Sequence, residues 1–277
     1  MPFTPSHAVV ALPFVRTPLV PAAIAIGAMT PDLPIFLRGL GLRYSITHTW
    51  SWLPLTVAVA LVLLLIWRCV LRPAARDLVP RVLAERLPAG WDADARASLR
   101  ETFARHRPGA APGPISSASI LLLVLSLALG VASHIAWDLF THLDRWGLIA
   151  FPLLAEKWGP LAGYKWLQYG SSVVGLVIIG IWALWWLARQ PPRAVEDRAP
   201  GAVRIVWWAS LPAFLVFAWF GGLAIFGPFR PGFGVENLAY LVLPPAVGLW
   251  GALTLVLAIA LQVIRRASSR GSSPAAG

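Results

Sequence analysis

Residues 133–142 read SHIAWDLFTH and follow directly on the apolar run ILLLVLSLALGVA. His134, Asp138 and His142 recur there every fourth residue. On a helix that spacing puts side chains on one face, with Cβ atoms about 5–6 Å apart. Imidazole and carboxylate are ligands for zinc and similar divalent ions, so His134 and Asp138 can hold one metal together. His142 lies about 12 Å from His134 along a straight helix. It shares that metal only if the helix ends before it; otherwise it serves a second metal, a proton transfer or a substrate contact. Thr141 can donate to a ligand and orient it. The plain alternative is a polar helix end meeting water, its histidine bonded to a neighbouring helix.

Three more short stretches carry a ligand-type residue beside a hydroxyl. TPSH holds His7, MTPD holds Asp32 and THTW holds His48. A Ser or Thr so placed can cap a helix or steer a ligand. Pro31 and Pro34 flank Asp32 and favour a fixed, non-helical backbone there. Taken singly, Asp32 reads as a turn residue and His48 as a loop histidine. Taken together on one face, His7, Asp32, His48, His134 and Asp138 read as a metal site.

The elements that must position them are membrane helices. The 277-residue chain is 58% hydrophobic and 13% charged, where a soluble domain carries about a quarter charged residues. Five runs, roughly 52–71, 118–137, 169–188, 204–226 and 240–264, reach the about 20 apolar residues a crossing helix needs. The fold class is all-α: a polytopic membrane protein with about five transmembrane helices. Residues 5–15 and 20–30 are too short or too proline-broken to cross singly. We read them as a re-entrant hairpin turning at Arg16-Thr17-Pro18, which brings His7 and Asp32 to one face. The competing reading is a lone span over 18–37.

The net charge of +11 is mostly arginine, concentrated in 72–117, in 189–204 and beyond 264. The segments 38–51, 138–168 and 227–239 carry only Arg38, Arg43, Arg145, Lys157, Lys165 and Arg230. The positive-inside rule puts the first group in the cytoplasm and the second outside. The site then faces out of the cytoplasm, and the C-terminus lies inside. Four of the five histidines fall on the outer side; His106 falls among the loop arginines and reads as solvated. By segment, we expect a site-bearing membrane domain over 1–190 with a cytoplasmic helical loop at 72–117. A basic linker follows at 191–203, two spans over 204–264 and a disordered tail at 265–277. The loop has acids interleaved with its arginines and few aromatics, so no stacking platform for nucleic acid is evident. Cys69 is the only cysteine, which rules out an internal disulfide and a cysteine-based zinc site.

The segments MPFTPSHAVV, AIGAMTPDLPIFL, THTW and SHIAWDLFTH together resemble an uncharacterised bacterial integral membrane family, domain of unknown function 4184. More distantly they resemble inner-membrane metal-dependent hydrolases, and through them zinc-dependent phospholipase C. THT stands here where those hydrolases have THS, and His142 is an extra potential ligand. The resemblance implies His7, Asp32, His48, His134 and Asp138 as ligands of a divalent metal, zinc by type. It also implies the bacterial inner membrane as location.

The expected function is a membrane-embedded hydrolase acting on a lipid or lipid-linked phosphate. In it His142, Asp144 or Glu156 would serve as base, and Arg145, Lys157 or Arg38 would lie near the headgroup. The competing expectation is a transporter, metal carrier or assembly factor using the same residues as a structural site. Expected partners are membrane lipids, with no nucleic acid; the oligomeric state is left open.

Overall fold

The computed structural model describes residues 3–195 and 200–271. It is all-α, with five helices long and apolar enough to cross a membrane: Trp50–Leu78, Ser117–Thr141, Gly163–Ala188, Gly201–Phe226 and Val235–Arg265. These are called the first to fifth spans. Each apolar run seen in the sequence lies within one of them, and polar ends lengthen most. The second span runs on through Asp138 to Thr141, and the third starts at Gly163, before its apolar run begins. The last helix continues to Gly271 through its arginine- and serine-rich end. The expected disordered tail is therefore helical over 265–271, and its residues 272–277 lie outside the described ones.

The chain divides into two compact units. The first comprises residues 1–34, 42–66 and 97–189; the second comprises 35–41, 67–96 and 190–277. This differs from the linear division at residue 190, because 35–41 and 67–96 join the C-terminal helices.

In the first unit the N-terminus forms the expected hairpin. Thr4–Phe14 is a 3₁₀ helix with Pro5 in its first turn and Pro13 inside it. The turn passes through Arg16-Thr17-Pro18, and Pro21–Met29 returns as an α-helix. With three residues per 3₁₀ turn, side chains three apart eclipse. Thr4 and His7 therefore share one edge of the helix. A short 3₁₀ turn, Thr30–Asp32, interrupts the returning arm, which resumes as the helix Leu33–Phe36. Asp32 is thus held in a tight helical turn between its prolines, not in the non-helical backbone expected from them.

The returning arm packs against the second span through two glycines. A Cβ on Gly27 would stand 2.4 Å from the Leu127 carbonyl oxygen, and one on Gly130 would stand 2.2 Å from that of Ile24. Only glycine lets backbones approach this closely, as at small-residue contacts between membrane helices. The third span meets the 3₁₀ helix in the same way, since a Cβ on Gly175 would lie 2.9 Å from the Ser6 carbonyl oxygen. A two-stranded hairpin, Lys157–Trp158 with Leu161–Ala162, precedes the third span. Its turn is Gly159-Pro160, with Gly159 at φ 74. The sequence reading has a plain loop there.

The second unit holds residues 72–96 of the arginine-rich loop. The first span passes through a five-residue π turn at Trp67–Leu71, and the Val70 carbonyl accepts from Gln262 Nε2 at 2.8 Å. Two further helices follow, Arg81–Ala84 and Ala95–Phe103, the latter passing into the first unit from Ala97 on. Arg76, counted in the sequence only as a topology charge, is buried. It donates to the carbonyls of Ala84, Leu87 and Pro88 and to Asp92. Asp77 pairs with Arg265.

Arg38 also has a structural partner. Pro244 and Pro245 have no N–H, so the carbonyls four residues back, those of Tyr240 and Leu241, lose their helical donors. The Arg38 guanidinium takes both, at 2.6 Å and 3.5 Å, and lies 4.5 Å over the Tyr240 ring. Beside it, Gly248 lets the Phe36 carbonyl oxygen within 2.2 Å of where its Cβ would stand. Arg38 thus repairs a proline-broken helix rather than standing free for a headgroup. Arg38→Ala is expected to lower stability by about 1–2 kcal/mol, the worth of a charge-assisted hydrogen bond. Thermal unfolding in detergent would check this, and Arg38→Lys should recover little because a single ammonium does not fork across two carbonyls.

Candidate metal centre

The glycine crossing sets the site. His134 lies one turn beyond Gly130 on the second span, and Asp32 lies just past the end of the α-helix that carries Gly27. Backbones in contact at the glycines leave the next turn of each helix only a side chain apart. His134 Nδ1 donates to the Ala28 carbonyl at 2.7 Å. Ala28 belongs to the last turn of its helix, where carbonyls lack intrahelical partners. His48 closes the short helix Tyr44–Thr47, and its Nδ1 donates to the Tyr44 carbonyl at 3.0 Å. Thr47 ties this turn to the arm by donating to the Pro31 carbonyl at 2.7 Å.

A carbonyl only accepts, so both Nδ1 atoms carry the proton, and in the neutral ring each Nε2 offers its lone pair. The two Nε2 atoms lie 3.2 Å apart. Asp32 Oδ1 stands 3.6 Å from His48 Nε2 and 3.7 Å from His134 Nε2; Asp138 Oδ2 stands 3.5 Å from each. Charge-assisted N–H···O bonds run about 2.7–2.9 Å, so these distances are too long for imidazolium–carboxylate pairs. They do suit a common cation. A tetrahedron with metal–ligand distances of about 2.1 Å has edges of about 3.4 Å. The four atoms are buried, with His134 and Asp32 at 1% and 2% exposure. The donor types, imidazole and carboxylate, fit a divalent ion.

His7 joins from the 3₁₀ helix. Its ring stacks on His134 with centroids 4.1 Å apart. It also offers a ligand atom within 4.8 Å of atoms of His134 and Asp138. Its Nε2 is buried without a hydrogen-bond partner. Thr4, on the same edge, donates to Asp32 Oδ2 at 2.6 Å. The structure therefore brings together all five residues read as ligands from the sequence.

His142 comes back to the cluster because the helix stops. Thr141 is its last residue, and His142 is extended at φ −130, ψ 144. Its Nδ1 then lies 3.5 Å from Asp138 Oδ2 and 3.1 Å from the Thr141 hydroxyl, and Gln168 borders its Nε2 at 3.4 Å. Burial lowers the His142 pKa against the opposing pull of Asp138. Thr141 donates to Asp138 Oδ1 at 3.5 Å, the orienting role its place in the sequence suggests.

Asp144 is not part of this arrangement. It is exposed, sits in left-handed backbone at φ 59, and makes no hydrogen bond or ion pair with the described residues. The chain turns there to leave the helix end, which points the carboxylate to solvent. Glu156 is likewise exposed.

Tyr44 is a neighbour that sequence reading misses. Its ring stacks on His48 with centroids 3.6 Å apart, and its hydroxyl donates to Asp138 Oδ2 at 3.4 Å. Burial, then the Asp138 and Asp32 carboxylates, push its pKa well above 10 and keep it a phenol. The available signal is its spacing, four residues before His48 on a short helix. At His48 itself burial opposes the charged form, but Asp138 and Asp32 outweigh it and raise the pKa.

Two openings reach the cluster. A cavity of about 250 Å³ is bounded by His48, Asp138, Thr49, Trp50, Leu139 and Arg145. A largely apolar groove of about 390 Å³ has His7 among its lining residues, with Val10, Trp137, Val174 and Ile178.

No curated protein and no solved structure matches the chain at a significant level. The family model described as Domain of unknown function (DUF4184) matches residues 1–260, and the chain belongs to that family.

Proposed function

We propose that this chain is a membrane-embedded, divalent-metal-dependent hydrolase that cleaves a phosphate ester of a lipid or lipid-linked substrate. The carrying observation is the pair of buried triads that share His134, one with Asp32 and His48 and one with His7 and Asp138, with atoms of His48, Asp32 and Asp138 3.2–3.7 Å from His134 Nε2. A bound divalent cation, zinc by donor type, supplies Lewis acidity that polarises a phosphoryl oxygen and activates water at neutral pH. His142 is placed to accept a proton at its imidazole, with Thr141 and Gln168 holding the ring. Tyr44 steadies the Asp138 carboxylate as a donor. The apolar groove that His7 helps to line supports a substrate with a hydrocarbon chain.

A structural metal site is the second reading, and closure of the site by four protein ligands would favour it. The cavity against Asp138 and His48 and the unpartnered His7 Nε2 favour catalysis. Elemental analysis of protein purified without chelator, paired with turnover of phospholipids and polyprenyl phosphates in mixed micelles, separates the two. One metal per chain with hydrolysis supports the enzyme, and one metal with no turnover across the panel supports the structural site. No metal removes both. His142→Ala should keep the metal and lower kcat about 10²–10⁴-fold, the range for losing a general base.

For location we propose the bacterial inner membrane, with the site on the outer side and the C-terminus in the cytoplasm. The support is the arginine asymmetry of the loops. Single cysteines at the exposed positions Ser45 and Arg100, in a Cys69→Ser background, test it. An impermeant thiol reagent on intact cells should modify the first only; labelling of the second alone would invert the topology.

A further inference from the structure

We propose that Arg145 is the anion-binding residue of this site, holding a phosphoryl oxyanion whose other oxygens face the metal ligands His48 and Asp138. The proposal rests on the metal-site reading above and assigns its substrate contact. Arg145 is half-buried and lines the same 250 Å³ cavity as His48 and Asp138. Its guanidinium makes no hydrogen bond or ion pair with the described residues. This sets it apart from Arg38, Arg76 and Arg265, each of which spends its donors on carbonyls or aspartates. A planar five-donor fork left unspent beside a cation site is matched to a phosphoryl group, which it binds bidentately.

The size of the cavity narrows the ligand. Pockets for whole drug-sized molecules run about 300–1,000 Å³, so this one takes a phosphoryl headgroup while the remainder of the molecule lies outside. Lys157 is exposed on the two-stranded hairpin and does not line the cavity. Several exposed tryptophans of the same unit, Trp50, Trp52, Trp146, Trp158 and Trp166, flank the segments that carry the mouth. Tryptophan gathers at the depth of lipid headgroups. The chemistry is thus a phosphoryl oxyanion, carried by a lipid headgroup or by a soluble phosphate ester.

The test uses full-length protein in detergent micelles, loaded with Co²⁺ as a spectroscopic probe and titrated with inorganic phosphate. In the wild type, phosphate should perturb the Co²⁺ absorption saturably. In Arg145→Met the Co²⁺ content should stay the same while phosphate affinity falls about 10–100-fold, the worth of one or two charge-assisted hydrogen bonds. Arg145→Lys should recover part of it. Phosphatidic acid in mixed micelles that displaces phosphate from wild type identifies a lipid headgroup as the source. Displacement by glycerol 3-phosphate but not by the lipid identifies a soluble ester. Equal phosphate affinity in wild type and Arg145→Met, or no effect of phosphate on an intact Co²⁺ spectrum, overturns the role of Arg145. Failure of the wild type to take up Co²⁺ overturns the metal reading itself.

Discussion

His134→Ala is expected to abolish metal binding, with content falling from about one ion per chain to below about a tenth. His134 is the residue on which the cluster converges. Its Nε2 lies within 3.2–3.7 Å of His48, Asp32 and Asp138, its ring supports His7, and its Nδ1 is locked by the Ala28 carbonyl. Loss of a partner that merely orients a ligand lowers metal affinity about 10–100-fold, and loss of the ligand itself goes further. The variant also leaves Asp32 and Asp138 as two buried carboxylates with one imidazole fewer between them, so metal-free protein should be less stable as well. Metal content by elemental analysis, with helix content by circular dichroism as the folding control, reads both effects. Wild-type metal content in a folded His134→Ala protein would exclude the assigned cage. His142→Ala, run beside it, should keep its metal, because His142 meets only the Asp138 side of the cluster.

The second large effect comes from a residue with no chemistry of its own. Gly130→Val should deplete the metal nearly as thoroughly as His134→Ala, although Gly130 touches no ligand atom. A Cβ there meets the Ile24 carbonyl oxygen at 2.2 Å and the Ala28 amide nitrogen at 2.7 Å. Both obstacles are backbone and have no rotamer to escape into, so the two helices must separate. Separation lengthens the 2.7 Å bond between His134 Nδ1 and Ala28 and carries Asp32 away from His134. Overpacking of this kind costs about 1–3 kcal/mol or more. Gly170→Val is the matched control, since nothing lies within 4 Å of a Cβ at that position. Thermal unfolding and metal content should both fall for the first and hold for the second. Intact metal content in Gly130→Val would mean that the crossing does not set the cage.

Much of the fold was legible because crossing helices are specified residue by residue through transfer to an apolar phase. The five runs of the sequence are the cores of the five spans. The hairpin was legible for a different reason: neither of its arms is long enough to cross, and the turn at Arg16-Thr17-Pro18 let their ends meet. The five residues read as ligands could be named because histidine and aspartate are rare in such a chain, and His7, Asp32 and His48 each stood in a short stretch with a Ser or Thr. Partners set by tertiary placement were not legible. Arg38 and Arg76 count as charges in a sequence, yet their work is to satisfy carbonyls orphaned by Pro244, Pro245 and the end of a loop helix. Tyr44 gave only an i, i+4 spacing, and Asp144 gave only a carboxylate type near the right place. Gly27 and Gly130 did carry a signal, since glycine inside an apolar helix marks a close approach. It pointed to contact without naming the partner.

The order of the ligands along the chain has a consequence for biogenesis. His7, Asp32 and His48 all emerge within the first 48 residues, whereas His134 and Asp138 follow roughly a hundred residues later. The returning arm of the hairpin has its glycine face covered by the second span, and the Ala28 carbonyl has its donor in His134. Until that span is inserted, the arm has neither its packing partner nor its cap, and His7, Asp32 and His48 lack His134 and Asp138 to cluster with. On the metal-site reading, metal capture therefore waits for the second of the five spans. A ribosome-stalled chain ending before the second span should bind no metal at this site, and one extended past it should.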